Sequence, residues 1–257
     1  MTTTMPELAP AYPLQWRCHA SEGIEVAYEA QEQAIREALV GKPFEYRGPY
    51  VIFYGGWMIR HDLGLTNSWR FSMMSIPVGF QGGMGLWSLF MFVDDVPAIL
   101  AGREIMGEPK KWGDMTWRRG ASGCSFTLGL LGEQVMHLDA DIGAELTGSA
   151  IAPRLNLPVG TRLLNHRIVP SPTGPQPAQE HIVAVSLEAK FRYWHADPTG
   201  FSVAPPRNGR LDDLLAPLHR FAPRRVLAVH FREGSFDNGA GPHCQVIPFD
   251  GTGEEPR

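Results

Sequence analysis

Lysine is scarce in this chain: Lys42, Lys110, Lys111 and Lys190 are the only four, against nineteen arginines. Cysteine is scarcer still. Cys18, Cys124 and Cys244 are scattered and in no CxxC spacing, which argues against a disulfide frame or a zinc site and for a reducing compartment. Long hydrophobic runs are missing too. The longest, Gly85 to Val93, falls far short of the roughly 20 residues a spanning helix needs. Met1 to Pro13 has no cationic stretch leading into an apolar one, so no secretory signal is expected. The net charge of −4 comes without a basic patch, and no nucleic-acid partner is expected. GxGxxG, P-loop and HExxH patterns are absent, and His137, His181, His195, His230 and His243 have no metal-like spacing. The expectation is a cytoplasmic globule of 257 residues, with no membrane partner, no cofactor and no metal, acting on a small molecule.

What the chain does have is alternation. Gly23 to Tyr28 and Pro49 to Ile59 read as strands, with Gly55-Gly56 as a bulge or bend. Ser72 to Phe80 and Gly85 to Val93 flank the turn Gln81-Gly82-Gly83 as a hairpin, and Leu86 to Phe92, apolar on both faces, reads as a buried central strand. Cys124 to Leu131 and Gln134 to Asp141 form a second hairpin. Arg162 to Val169, the half-exposed run His181 to Trp194, Arg225 to Phe231 and Gln245 to Pro248 complete the strands. Helices are few and short. One covers Glu29 to Leu39, stopped by Gly41 and Pro43. A second is capped by Asp94 or Asp95, carries Pro97 in its first turn and ends at Gly107 and Pro109, and Asp212 to His219 is a third. No repeat or linker divides the chain. The spacing predicts one mainly β, antiparallel domain over 1–257, with 1–22 as an N-terminal arm that packs on the body or on a partner subunit. A closed or partly closed barrel would hide so many strand edges.

Half of the lysines stand side by side in Gly102-Arg103-Glu104-Ile105-Met106-Gly107-Glu108-Pro109-Lys110-Lys111, at the exit of a helix and the entry to a strand. Arginine does the surface work of lysine but cannot lose its proton and attack a carbonyl. Two readings stand: a solvated basic turn, or an amine that forms a Schiff base. On an extended segment adjacent side chains face opposite ways, so one lysine can enter an interior while the other stays at the rim. Burial disfavours an ammonium, and two pKa units amount to about 2.7 kcal/mol. The helix C-terminus favours the ammonium by only about 0.3–1 kcal/mol, so burial decides the matter if one lysine is buried. Lys190, on the polar face of a strand, and Lys42, in a turn, read as surface. Glu108 reads equally as a general acid/base, a salt-bridge partner or a plain turn residue. Arg103 and Glu104 read as structural ion pairs.

The segment from Ile76-Pro77-Val78 through Gly85, Phe92, Asp94, Pro97-Ala98-Ile99 and Gly102-Arg103-Glu104 to Pro109-Lys110-Lys111 resembles the core of acetoacetate decarboxylases. The resemblance is strong over about 36 residues and weak elsewhere. It implies a β-barrel or cone with a few short helices, Lys110 as the Schiff-base residue at the base of an apolar cavity, and Lys111 as its cationic neighbour. The family is itself the standard example of a lysine made reactive by an apolar pocket or a cationic neighbour. Departures from the pattern are specific. A family glutamate five positions before Ile-Pro-Val is Phe71, a second is replaced by Tyr54, and the arginine that helps hold a substrate carboxylate falls near Ser21. Glu108 stands where the family has an apolar or aromatic residue, and Met106 where a related enzyme has an amide. Tyr54, Arg70, Phe71, Met74 and Met106 are the expected substrate-lining positions.

An amine without its carboxylates points to a lyase acting on a keto acid or ketone by aldol, dehydration or cyclisation chemistry, ahead of β-keto acid decarboxylation. A reading of another class is a non-covalent cyclase or binding protein, its pocket lined from Phe71, Met73, Met74, Phe80, Trp87 and Phe90. The first reading expects a small keto substrate and, with the arm, a homo-oligomer.

Overall fold

The computed structural model describes residues 15–63, 68–147, 161–174, 177–186, 188–203, 218–239 and 244–249. Among the described residues, two helices and fourteen strands run in the order β1 (Gln15–Glu29), α1 (Glu32–Leu39), β2 (Glu45–Tyr46), β3 (Tyr50–His61), β4 (Trp69–Phe80), β5 (Gly83–Val93), α2 (Val96–Met106), β6 (Lys110–Trp112), β7 (Asp114–Arg119), β8 (Gly123–Leu130), β9 (Glu133–Leu146), β10 (Arg162–Val169), β11 (Gln179–Val185), β12 (Glu188–Val203), β13 (Arg225–Gly239) and β14 (Cys244–Pro248). All strands belong to one sheet, ordered β14-β11-β10-β5-β4-β3-β1-β13-β12-β9-β8-β7, with β2 on β4 and β6 on β5.

The fold is mainly β, as expected, but the closed barrel is not what forms. Among the described residues the sheet path ends at β14 and β7, and these two ends do not pair. The sheet instead rolls into an open cone. Phe53 of β3 meets Phe126 of β8, five strands away along the path, with ring centroids 5.7 Å apart. Ile24, Val26, Phe53, Met74 and Phe92 from one half, with Phe126, Leu128, Met136 and Leu138 from the other, make the main core on this inner face. β5 is central, as its two-sided apolar run predicted. It pairs antiparallel with β4 and parallel with both β10 and β6, so the sheet is mixed.

Three local expectations need correction. Residues 15–22 are the first half of β1 rather than an arm, since Trp16 and Cys18 are buried. Register shifts around Ala20 break the alternation that would have revealed the strand. Gly55 and Gly56 pair with β1 and β4 without a bulge. They are glycine because a Cβ on Gly55 would lie 2.9 Å from the Phe126 ring, and one on Gly56 2.7 Å from the Tyr54 hydroxyl. The run His181 to Trp194 is two strands. β11 joins β10 and β14, while β12 joins β13 and β9, and both are half-buried, so the alternation hides the crossing between them. Most of the expected third helix, Asp212 to His219, lies outside the described residues. The two hairpin turns hold: Gln81 and Gly82 take φ of 49° and 73°, and Leu131 and Gly132 take 51° and 85°.

Among the described residues no helix is long and apolar enough to cross a membrane.

Candidate active site

Helix α2 begins where Asp95 accepts a hydrogen bond from Ala98 N at 2.7 Å, with Pro97 in the first turn, and ends at Gly107 in the left-handed conformation, φ 64°. Its buried face is small: Ala98, Ala101 and Gly102, with Met106 at the end. That lets the helix lie close to the sheet. Past Gly107 the chain makes a tight turn about Pro109, in which Lys110 N donates to the Glu108 carbonyl at 2.7 Å. Lys110 then enters β6, and Arg103 ties the helix to it by donating to the Lys110 carbonyl at 3.0 Å.

The turn brings two buried side chains together. Lys110 is 8% exposed and Glu108 7%. The Lys110 Nζ lies 2.6 Å from Glu108 Oε2 and donates to the Ala98 carbonyl at 3.2 Å. The contact with Glu108 is a close charge pair without hydrogen-bond alignment, and among the described residues Oε2 has no aligned donor. Gly102 makes the space. A Cβ there would collide with Glu108 Oε2 and sit 2.6 Å from Lys110 Nζ and Cδ. No local signal marked Gly102 as part of the site beyond its place in the Gly-Arg-Glu motif.

Lys111 faces the other way, as alternation requires, and is half-buried. Burial, helped by the nearby Arg103 charge, lowers its pKa. Lys190 is exposed, and Lys42 sits in the turn after α1, as expected of surface lysines.

Register places the remaining candidates. Lys110 is opposite Met91, Met91 opposite Met73, Met73 opposite Tyr54, Tyr54 opposite Glu25 and Glu25 opposite His230. Directly opposed residues share a face, so one row crosses six strands on the outer face of the sheet, beneath α2. Phe71, two residues from Met73, shares it, and its ring lies 4.8 Å from that of Tyr54. Thus the two positions where the family pattern has glutamates, Tyr54 and Phe71, do stand on the face of Lys110. Burial raises the Tyr54 pKa, so the phenol stays neutral.

Other expected lining residues are elsewhere. Met74 faces the inner core, where its sulfur meets the Tyr28 hydroxyl at 3.8 Å. Arg70 is committed to Asp94, donating to Oδ2 at 2.9 Å just past the end of β5. Met106 is buried with Val183 and Val185 at the end of α2, and Asn165 Nδ2 donates to its carbonyl at 3.1 Å. A cleft of about 180 Å³ bounded by Phe53, Met74, Phe90, Phe92 and Leu128 lies on the opposite face, while α2 closes over the amine.

Sequence reasoning missed two charged residues of this face, Glu25 and Arg232. Their side chains are 5% and 11% exposed, with Arg232 Nη1 4.0 Å from Glu25 Oε2. The Arg232 guanidinium lies 3.9 Å from the Tyr54 ring centroid and 4.3 Å from that of Phe191. Burial alone would weaken its hold on the proton, but Tyr54, Glu25 and Tyr193 around it outweigh that and raise its pKa.

The family model described as acetoacetate decarboxylase matches residues 2–243. The acetoacetate decarboxylase of Clostridium acetobutylicum is 34% identical over 109 residues, 42% of this chain and 43% of that protein. The chain therefore aligns with less than half the length of this curated relative. A solved structure of acetoacetate decarboxylase superposes with a TM-score of 0.80 at 21% identity, covering 96% of this chain and 95% of that one. The enduracididine biosynthesis enzyme MppR, solved with the condensation product of pyruvate and imidazole 4-carboxaldehyde, superposes at 0.72 and 15% identity, covering 93% and 92%. Both structural likenesses speak to the fold, and the family match spans nearly the whole sequence. The chain belongs to the acetoacetate decarboxylase family.

Proposed function

We infer that the protein is a lyase that forms a Schiff base between Lys110 and the carbonyl of a keto acid or ketone. The observation that carries this reading is the buried contact of the Lys110 amine with the Glu108 carboxylate in the space left by Gly102. Attack requires a neutral amine. Transfer of the ammonium proton to Glu108 leaves the lone pair on Nζ, which forms the C–N bond to the carbonyl carbon. Glu108 then returns the proton to the carbinolamine oxygen, and a second proton, from the nitrogen, lets that oxygen leave as water. The resulting iminium accepts the electron pair of a C–C bond broken, or of a C–H bond deprotonated, beside it, and the enamine so formed can expel a β-hydroxyl, which keeps the C–O pair and leaves as water with a proton. Protonation of the enamine and hydrolysis release the product and restore the amine.

Aldol, dehydration or cyclisation chemistry is favoured over acetoacetate decarboxylation. At the two glutamate positions the face of Lys110 carries Tyr54 and Phe71, neutral rings in mutual contact. MppR, with its bound pyruvate condensation product, is a relative consistent with this direction. Decarboxylation of a β-keto acid is the second reading, supported by the names of the curated relatives. The non-covalent binding reading has the inner cleft among the described residues in its favour.

The test is borohydride reduction in the presence of pyruvate, acetoacetate and larger keto compounds, with mass mapping of the modified lysine. The adduct is expected on Lys110. Lys110→Arg should abolish it and any turnover, while Lys111→Arg should retain both. An adduct that persists in Lys110→Arg would overturn the mechanism. Release of carbon dioxide from acetoacetate at about 1 s⁻¹ or faster, an ordinary enzyme rate, would reverse the preference between reactions.

A further inference from the structure

A buried guanidinium is costly to desolvate, and burial is normally offset by a full complement of hydrogen-bonded anions. Arg232 lacks that complement. Among the described residues its Nε has no hydrogen-bond partner, and the carboxylate of Glu25 stands at 4.0 Å, beyond hydrogen-bond reach. Tyr54, whose hydroxyl also hydrogen-bonds the guanidinium, and Phe191 lay their ring faces against it, with Tyr193 nearby. Such faces hold a guanidinium flat and leave its edge, where the N–H groups point, for a planar acceptor.

Its place in the sheet links it to the amine. Arg232 lies two residues beyond His230 on β13, so it shares the face of the row that ends at Lys110. No register shift falls between His230 and Arg232. The two cations border one apolar cluster, formed by Val93, Ala98 and Ala101 with Phe71 and Phe191 packed against it. Lys110 Nζ meets that cluster at the Ala98 carbonyl, and Arg232 meets it at Phe191. Tyr54, under the guanidinium, is three strands from Lys110, about 14 Å at the usual strand spacing. A β-keto acid, whose carbonyl and carboxylate carbons are separated by a single methylene, is too short to engage both.

We propose that Arg232 is the carboxylate anchor for the reaction at Lys110, and that it selects keto acids whose carboxylate lies several bonds from the carbonyl. The proposal rests on the Schiff-base reading above. It places carboxylate recognition on β13, whereas the family position near Ser21 on β1 carries no cation. It also predicts that a short keto acid is a poor substrate without any defect at Lys110.

The experiment compares 5-oxohexanoate, its methyl ester and acetoacetate in borohydride trapping on the full chain. For the wild type, half-saturation by 5-oxohexanoate is expected at least about tenfold lower than by the ester, since a charge-assisted hydrogen bond contributes about 1.5–3 kcal/mol. Arg232→Met alone would take the cation from beside the buried Glu25 carboxylate, so the variant used is Glu25→Gln with Arg232→Met. It should lose the preference for the acid, read as the ratio of the acid and ester half-saturation concentrations. Arg232→Lys should recover part of that preference. Retention of the preference in the double variant, or its absence from the wild type, would overturn the anchor, leaving Arg232 a structural cation read only as a change in Tm.

Calorimetry of the same acid and ester with Lys110→Arg separates this outcome from failure of the covalent step. An Arg232-dependent preference there upholds the anchor even if no adduct ever forms. Adducts without acid preference uphold the Schiff base alone.

Discussion

At the scale of single residues, the unusual position is Gly102. Glycine within a helix is normally worse than alanine by about 1 kcal/mol, so Gly→Ala there usually stabilises. Here the added methyl would collide with Glu108 Oε2 and press on Lys110 at 2.6 Å. Both neighbours are buried, and neither is the free end of a surface chain. We therefore expect Gly102→Ala to reverse the usual sign and destabilise by about 1–3 kcal/mol, the range for overpacking. The borohydride adduct should fall with it. An unchanged or higher urea midpoint would show that the pair relaxes elsewhere without cost. Replacing Glu108 by Gln should keep the volume and slow adduct formation by about 10²–10⁴-fold, the usual contribution of a positioned acid/base. Stopped-time trapping at fixed keto acid concentration measures this directly. The assignment of Lys110 and Lys111 to opposite faces was legible from strand alternation alone. The role of Gly102 was not, because close approach in three dimensions leaves no periodic mark. Arg232 was hidden for another reason: the expected strand stopped at Phe231, one residue short, and β13 meets β1 across some two hundred residues of sequence.

At the scale of elements, α2 is the part that holds the site. Its first turn positions the Ala98 carbonyl over the Lys110 amine, and that turn depends on the Asp95 cap. Asp95→Ala should cost about 1 kcal/mol, within the roughly 0.5–2 measured for caps. It should also loosen the amine, so trapping slows while the mapped residue remains Lys110. The cap, Pro97 and the Gly107 stop were all readable in sequence, because capping is local chemistry. The β10–β11 ladder carries a pH effect that was not readable, since His166 and Glu180 are brought to 2.5 Å only by pairing. Burial, with the Lys42 charge adding to it, lowers the His166 pKa below 6.5 despite Glu180. The unfolded chain therefore binds the proton more readily than the folded one. Stability is full above about pH 7 and falls as pH drops through 6.5, by at most about 1.4 kcal/mol per pH unit from this group. Glu32 and Glu145, lowered from 4.5, add their own loss only at more acid pH. Urea midpoints at pH 7 and pH 5 should differ less in His166→Gln than in the wild type. Equal differences would assign the acid sensitivity to other groups, His61 among them.

At the scale of the whole molecule, the residues of the outer-face row come from every part of the chain: Glu25, Tyr54, Lys110 and Arg232 lie on β1, β3, β6 and β13. None of them is held by its own segment alone. β1 is clamped between β3 and β13, and β13 in turn between β1 and β12. The main core draws on both halves of the rolled sheet, so opening the cone exposes it at once. This architecture argues that the described sheet unfolds as one cooperative unit, as the absence of a linker in the sequence suggested. The cost is kinetic. Pairing β1 with β13 closes a loop of some two hundred residues before the contact repays it, which places folding at the slow end of the range for β proteins. Unfolding in urea should then give one transition, with tryptophan fluorescence, far-UV circular dichroism and competence to form the borohydride adduct all lost at the same midpoint. If adduct competence were lost well before the circular dichroism, α2 would be opening as a separate unit over an intact sheet. Two resolved transitions in the circular dichroism would instead divide the sheet into independent domains. A single midpoint shared by all three probes is the outcome expected of a site assembled by the cone as a whole.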